Sequence, residues 1–202
     1  MIRFSILIFI IIAVLQTYFV QSQEVIIDSE MTFEEAIKGT KAPKKIIDSL
    51  TLVDVEYFSF DGKLHRGQVV VNIAVKDDVI EAFKIIKEQK FPVQKVIPIV
   101  KYDWDDNESM EQNNTSAFNY RFVAGTERLS HHATGRAIDI NPRNNPVIYN
   151  DGKISPKGCS YNPNAKGSLK NDFQPVTFFK SNGWRWGGDW TSLKDYHHFD
   201  KP

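Results

Sequence analysis

The chain has 202 residues, of which 42% are hydrophobic and 12% aromatic, enough for one packed domain with a small extension. Lysine plus arginine and aspartate plus glutamate each number 25, so no net field draws the protein to nucleic acid or to an anionic membrane. The composition argues against a largely disordered chain and against a nucleic-acid-binding surface. Cys159 is the only cysteine, which excludes an internal disulfide.

Residues 1–22 differ in composition from the rest of the chain. Arg3 gives a positive start, residues 4–15 are a largely apolar run, and residues 20–22 form a tolerable cleavage sequence. This pattern predicts an export signal and therefore a secreted or periplasmic protein. The alternative is an uncleaved anchor, because the apolar run approaches the length of a bilayer-spanning helix when it is counted through Val20. Contact with a membrane is expected only in that case.

A lead segment, residues 23–50, separates the predicted signal from the main domain, residues 51–202. Thr32 and Glu35 have the spacing of a capping box and Gly39 is a natural stop, so a short helix is predicted between them. The segment offers no pattern of functional residues. It either docks on the main domain or tethers that domain to the cell envelope.

The main domain is predicted to open with a hairpin followed by a helix. Residues 52–58 alternate as a strand, Asp61-Gly62 marks a turn, and residues 68–72, with three valines, predict the second strand. Apolar residues then repeat at helical spacing over residues 77–89, with the first residue, an aspartate, as the helix cap. Residues 96–100 predict another strand, at a sheet edge because Pro98 has no N–H to donate.

The second half of the chain is richer in loops. Its predicted elements are a polar loop over residues 102–119, a strand over 136–141, a loop excursion over 142–167, a helix over 176–181 and an aromatic, glycine-rich turn over 184–190. On the predicted strand, Asp139 lies on the face opposite Ile138 and Ile140. Its carboxylate is therefore expected to point away from the core.

Four of the five histidines occur as two doublets, each near an aspartate. His131-His132 precedes Asp139, and His197-His198 follows Asp195. Imidazole and carboxylate groups at two separated places are the ligand types of a three-ligand zinc site, which in a hydrolase keeps one coordination position for water. The residues alone do not decide which histidine of each doublet is the ligand.

Two motifs give the chain a family resemblance. SHHATGRAID fits the pattern S-x-H-x-x-G-x-A-x-D, and DYHHF fits D-x-x-H-F. Both resemble the zinc D-alanyl-D-alanine carboxypeptidases and L-alanyl-D-glutamate endopeptidases of bacterial cell walls, a VanY-like group that shares its fold with the hedgehog signalling domain. The likeness runs from about Leu52 to the C-terminus through SMEQNNTSAFNYR, AIDINPRNNP and GWRWGGDW. It implies an α+β fold with a mostly antiparallel central sheet and flanking helices.

By motif position, the resemblance makes His132, Asp139 and His198 the ligands of one zinc ion. It makes Asp195 the general base that deprotonates the zinc-bound water and later passes the proton to the leaving amine. Arg121, in FNYR, resembles the family's arginine that steadies the oxyanion or holds a substrate carbonyl. These five residues form the predicted catalytic site.

Substrate contacts are predicted at Ser130, Tyr120 and Trp186. Ser130 matches the motif serine and is expected to orient substrate by hydrogen bonding. Two nearby arginines, Arg128 and Arg136, are alternatives to the arginine of FNYR.

Simpler interpretations compete with some of these assignments. A histidine is more often a surface residue or a satisfied core residue than a ligand, and that interpretation is adopted for His65. His131 and His197 are expected to lie behind the ligands or at the rim of the site. Surface ion pairing with a lysine is the alternative for Asp195.

The function that follows is an exported, monomeric zinc metallopeptidase whose substrate is a peptidoglycan stem peptide. The sequence does not decide between a carboxypeptidase, which needs a cation for a terminal carboxylate, and an endopeptidase, which needs a cleft open at both ends. A different class is a non-catalytic extracellular module that binds or signals and keeps zinc structurally. A metal-dependent nuclease is disfavoured by the balanced charge.

Overall fold

The computed structural model describes residues 24–202, so the predicted export signal lies outside the described residues. The helices are α1 Phe33–Ala36, α2 Lys44–Ile47, α3 Lys76–Glu88, α4 Asp106–Glu111 and α5 Gln174–Ser181. The strands are β1 Ile26–Ile27, β2 Leu50–Phe58, β3 Leu64–Asn72, β4 Lys95–Val96, β5 Asn114–Thr115, β6 Ala137–Asp139, β7 Val147–Tyr149, β8 Ile154–Ser155, β9 Arg185–Trp186, β10 Leu193–Asp195 and β11 His198–Asp200. Within residues 24–202, none of the helices has the length and apolar character needed to cross a bilayer.

The fold is α+β with mostly antiparallel strand pairs, which confirms the predicted class. Within the described residues the strands form three three-stranded sheets, β1-β3-β2, β10-β7-β8 and β6-β11-β9, and the parallel pair β4-β5. The short β1 also runs parallel to β3. The described residues therefore form several small sheets where one central sheet was expected.

The predicted hairpin is confirmed and is longer than its sequence pattern indicated. β2 and β3 pair antiparallel from Leu50↔Asn72 to Phe58↔Leu64. Helix α3 packs against β2 and buries Val79, Phe83 and Ile86. The main core lies between this hairpin, α3, α5 and the β6-β11-β9 sheet.

The start of α3 differs from the prediction. Val75 is the N-cap residue, and it follows a 3₁₀ turn, Ile73–Val75, that begins with the Asn72 side chain accepting from the Ala74 N–H. Asp77 lies in the first turn instead of capping it, where its negative charge is favourable near the positive end of the helix dipole.

The lead segment packs on the outer face of the hairpin. The predicted capping box is present: Thr32 Oγ1 accepts from the Glu35 N–H, and the Glu35 carboxylate accepts from the Thr32 N–H. Ala36 and Ala42 are buried in a second cluster with Val70 of β3. The contacts of residues 24–50 thus favour docking over tethering.

Three predicted segments between the hairpin and α5 were wrong in detail. The strand expected over residues 96–100 is limited to β4, because Pro98 cannot continue the ladder and a 3₁₀ turn, Ile99–Tyr102, follows it. The polar loop over residues 102–119 contains α4 and β5. Asp105 caps α4 by accepting from the N–H groups of Asn107 and Glu108. The excursion over residues 142–167 contains the antiparallel pair β7 and β8.

Candidate metal centre and active-site cleft

The structure brings three predicted ligands together. His132 Nε2 lies 3.2 Å from His198 Nδ1 and 3.2 Å from an Asp139 carboxylate oxygen. The other Asp139 oxygen lies 2.9 Å from His198 Nδ1. All three side chains are buried, and one ligand atom from each lies within 4.8 Å of the others. This spacing fits coordination of a single metal ion.

A capped turn and a strand pairing position these side chains. Ser130 caps a 3₁₀ turn, His131–Thr134, by accepting from the His132 N–H, and Gly135 ends the turn in the left-handed conformation, with φ +67°. The chain then enters β6, where Asp139 stands directly opposite His198 on β11. Asp139 does lie on the face opposite Ile138, as expected, but that face is covered by the site, so the residue is only 3% exposed.

Hydrogen bonds behind the two histidines favour the tautomers that would bind a metal ion. His132 Nδ1 is hydrogen-bonded to the Ala117 carbonyl oxygen, which only accepts, so this nitrogen carries the proton and Nε2 keeps its lone pair. His198 Nε2 faces an Asp200 carboxylate oxygen at 3.2 Å, which favours the proton on Nε2 and a lone pair on Nδ1. Two lone pairs and the Asp139 carboxylate then converge on one point. A set of acceptors without a donor suits a cation.

The local electrostatics favour positive charge at this point. Burial by itself raises the pKa of the Asp139 carboxyl, but the imidazoles of His132 and His197, and the hydrogen bonds that His132 and His198 donate when a proton takes the place of a metal ion, hold this pKa well below its usual value. Burial lowers the pKa of His198, and the hydrogen bonds to Asp139 and Asp200 outweigh it and raise the pKa to about 10. The site is therefore built to hold a cation, either a proton or a metal ion.

Asp195 lies in the same cleft with an unused oxygen. Its Oδ1 is buried without a hydrogen-bond partner and lies 3.0 Å from His197 Nε2. Burial raises the pKa of this carboxyl and the Asp139 charge raises it further, against the opposing effect of His197 and His198. The Asp195 backbone packs directly against residue 187, which must be a glycine because an added Cβ would lie 2.4 Å from the Asp195 carbonyl oxygen. A buried carboxylate with a free oxygen is suited to accept a proton.

The second histidine of each doublet points elsewhere. His131 Nε2 lies 3.2 Å from an Arg185 nitrogen. His197 Nδ1 hydrogen-bonds the Asn145 carbonyl oxygen at 2.8 Å, and its Nε2 is 4.0 Å from Asp139. Both residues therefore lie next to the cluster of His132, Asp139 and His198 without joining it.

A cleft of about 550 Å³ opens over the cluster, a volume typical of small-ligand sites. Its lining includes Arg121, Arg128 and Ser130 together with Asp195. Arg121 pairs with Asp106 at 2.8 Å, and its buried Nε has no hydrogen-bond partner. The guanidinium of Arg121 is thus anchored on one side and keeps an unused donor.

Two predicted substrate contacts lie outside this lining. Tyr120 packs against the cluster beneath the lead segment. Trp186 is 3% exposed in the main core and donates its indole N–H to the Tyr196 carbonyl oxygen. Because neither side chain lines the cleft, we do not include Tyr120 or Trp186 in the proposed substrate site. Trp190 does line the cleft.

Arg136 and His65 are held by contacts away from the cleft. Arg136 donates to the carbonyl oxygens of Lys201 and Pro202 and is absent from the cleft lining. His65 is 8% exposed, with its two ring nitrogens near Asp28 and Asp61, and it behaves as the satisfied core residue expected.

Cys159 lines a separate cavity of about 640 Å³ on another part of the surface. Burial raises the pKa of its thiol, which disfavours the reactive thiolate.

The sequence interpretation missed the carboxylate behind His198. Asp200 is 2% exposed and forms two hydrogen bonds with Arg185, at 2.6 and 2.9 Å. Burial raises the Asp200 pKa, but the hydrogen bonds from His198 and Arg185 lower it to about 2. A usable signal was present, because residues two apart on a strand share a face and Asp200 is two residues beyond His198.

Comparison with known proteins gave one result. A family model described as D-alanyl-D-alanine carboxypeptidase matches residues 124–201, and neither the curated proteins nor the solved structures searched gave a match. The matched segment contains the three ligand candidates and Asp195, and it begins three residues after Arg121. The resemblance indicated by the motifs is therefore confirmed: over residues 124–201 the chain matches the D-alanyl-D-alanine carboxypeptidase family, a family of peptidases.

Proposed function

We propose that the protein is an exported zinc peptidase that hydrolyses an amide bond in peptidoglycan stem peptides. The observation that carries this proposal is the convergence of His132, Asp139 and His198 beside the buried, unpartnered oxygen of Asp195. A purely structural zinc site is usually closed by four protein ligands, whereas a hydrolytic one leaves a position open. Among the described residues, the cluster supplies three ligands and faces a cleft.

Each residue then has a defined task. A zinc ion held by the three ligands would lower the pKa of water in its open position to about 7 and polarise the substrate carbonyl. Asp195 accepts the proton from the attacking water and passes it to the leaving amine. Arg121, fixed by Asp106, donates to the developing oxyanion. The Ser130 hydroxyl oxygen accepts from the His132 N–H, which leaves its O–H free to donate to substrate.

Replacement of Asp195 by asparagine, Asp195→Asn, removes the base without changing the side-chain size. We expect the zinc content to stay unchanged and the hydrolysis rate to fall about 10²- to 10⁴-fold, the usual contribution of a general base. Elemental analysis gives the zinc content, and mass spectrometry of digested peptidoglycan peptides gives the rate and the bond cleaved.

A matched control is Asp189→Asn, because Asp189 pairs with Lys180 outside the cleft. This variant should keep wild-type activity. Activity of the metal-free wild-type protein would overturn the zinc peptidase proposal. Undiminished hydrolysis by Asp195→Asn would overturn the role of Asp195. Zinc binding without hydrolysis by the wild type would favour the alternative, a non-catalytic zinc-containing module.

A further inference from the structure

A two-stranded arm, residues 121–130, forms one wall of the cleft. The Val123 N–H donates to the Arg128 carbonyl oxygen at 2.8 Å, and the Ser130 N–H donates to that of Arg121 at 3.1 Å. Between these hydrogen bonds, Phe122 and Leu129 form an antiparallel bridge. Residues on such a pair alternate between its two faces. One face of the arm can therefore serve the cleft.

The two faces of the arm have different chemistry. Arg121, Val123, Arg128 and Ser130 line the cleft. Phe122 is 53% exposed, and its bridge partner Leu129 is also exposed. The arm thus presents two arginines and a serine to the volume above the metal-ligand cluster.

Most charged groups that line the cleft already have partners. Arg121 pairs with Asp106, and Arg185 pairs with Asp200. The carboxylate of Asp139 lies against His132, and Asp195 lies at ion-pairing distance from His197 without accepting a hydrogen bond from it. Among the described residues, these contacts leave one arginine of the cleft lining without a carboxylate partner.

That arginine is Arg128. Among residues 24–202, Arg128 has no carboxylate within ion-pairing distance, although the other two arginines of the cleft each have one. A guanidinium presents a planar fork of N–H donors that matches the two oxygens of a carboxylate. Its free charge faces the volume in which the proposed substrate must lie.

We propose that Arg128 receives a carboxylate of the substrate peptide and so determines specificity. This inference rests on the proposed function and deepens it. Arg121 is assigned to the reacting carbonyl because it is anchored by Asp106 and buried at Nε. Arg128 is exposed at the mouth of the cleft, where it selects peptides that carry a negative group near the scissile bond. The carboxylate is that of the peptide terminus or that of an acidic side chain.

The test compares three peptides with two forms of the zinc-loaded, full-length enzyme. The peptides are a peptidoglycan stem peptide with all carboxylates free, the same peptide with an amidated C-terminus, and the same peptide with its acidic side chain amidated. The enzymes are the wild type and Arg128→Gln, which keeps polarity and removes charge. Values of kcat/KM are measured for every combination.

We expect the wild type to disfavour one of the amides on the order of 10- to 100-fold, the usual contribution of a hydrogen bond to a charged group. Arg128→Gln should lose this discrimination because the acid becomes a poorer substrate while that amide is unchanged. The disfavoured amide identifies the carboxylate: the terminal one makes the enzyme a carboxypeptidase. Arg128→Lys should recover part of the preference for the acid.

The control is Arg143→Gln, since Arg143 pairs with Glu111 outside the cleft and should leave discrimination unchanged. Equal losses of kcat/KM on acid and amides, or no loss on any peptide, would overturn the role of Arg128. Failure of the wild type to cleave any of the peptides would instead overturn the proposed function, so the two failures are distinguishable.

Discussion

At the scale of single residues, His198 is held from both sides of its ring. Asp139 lies at Nδ1 and Asp200 at Nε2, and Arg185 fixes the orientation of Asp200. A ligand imidazole with a carboxylate behind it is oriented before the metal arrives and is a better electron donor. Asp200 is therefore a positioning residue for the proposed metal site.

Asp200→Asn should weaken zinc binding about 10- to 100-fold, because an amide neither fixes the His198 tautomer as firmly nor raises its basicity. Competition with a chromophoric chelator measures this affinity independently of catalysis. Asp189→Asn, which alters an exposed aspartate, is the control. Unchanged zinc affinity in Asp200→Asn would show that Arg185 and Asp200 act only in packing.

Residue chemistry alone could not choose the ligand within each doublet. Two adjacent imidazoles have the same affinity for a metal until the backbone gives them directions. Motif register selected His132 and His198, and the structure brings these two to Asp139. The Arg185–Asp200 pair was beyond sequence reasoning, since it depends on the antiparallel register of β9 and β11.

At the scale of elements, the turn between His132 and β6 requires a glycine. Gly135 has a positive φ, and a Cβ there would lie 2.6 Å from Leu50 Cδ2 and 2.7 Å from the Asn72 backbone nitrogen. The ligand turn is therefore pressed against the β2–β3 hairpin. Because of this close backbone packing, we expect an insertion or deletion between His132 and Asp139 to displace one of the two candidate ligands.

Replacing this glycine should damage both stability and metal binding. We expect Gly135→Ala to lower the free energy of unfolding by about 2–5 kcal/mol, from left-handed backbone strain together with overpacking, and to reduce zinc content. Gly125→Ala is the matched control, because Gly125 also has a positive φ but has nothing within 4 Å of its added Cβ. It should cost only about 1–2 kcal/mol. Equal decreases in the free energy of unfolding of the two variants, measured by urea denaturation, would contradict the role of close packing at Gly135.

The elements that sequence patterns predicted well are those with strong periodicity. The hairpin and α3 have regular apolar spacing, and both are present. Helix α4 was missed because only Ser109 of its six residues is buried, so it shows no apolar stripe and depends on the Asp105 cap. Strands β7 and β8 are too short to give a pattern, and their position depends on pairing with β10.

At the scale of the whole molecule, the lead segment is joined to the hairpin by a buried amide. Gln68 Oε1 accepts from Ser29 Oγ and from the Met31 N–H, and its Nε2 donates to the Met31 carbonyl oxygen and to Asp54. All hydrogen-bonding atoms of this side chain are used. No sequence pattern indicated this network, because its partners lie up to 39 positions apart.

Gln68→Ala should therefore destabilise the protein as a whole. We expect the free energy of unfolding to fall by about 2–4 kcal/mol, because the buried Ser29 hydroxyl and the Met31 backbone groups lose their hydrogen-bond partner. Gln89→Ala, which removes an exposed amide bonded to Gln174, should change it by no more than about 0.5 kcal/mol. Chemical denaturation followed by tryptophan fluorescence measures both. A Gln68→Ala protein as stable as the control would show that the lead segment adds no stability through this amide.

The facing positions of Asp139 and His198 have a consequence for cohesion of the molecule. They stand on adjacent strands, β6 and β11, in direct register. A cation bound by both residues would therefore cross-link two segments of the chain that are 59 positions apart. A shift of either strand by one residue would turn its ligand to the opposite face of the sheet and break this cross-link. Hydrolytic competence and correct strand alignment would be lost in the same event.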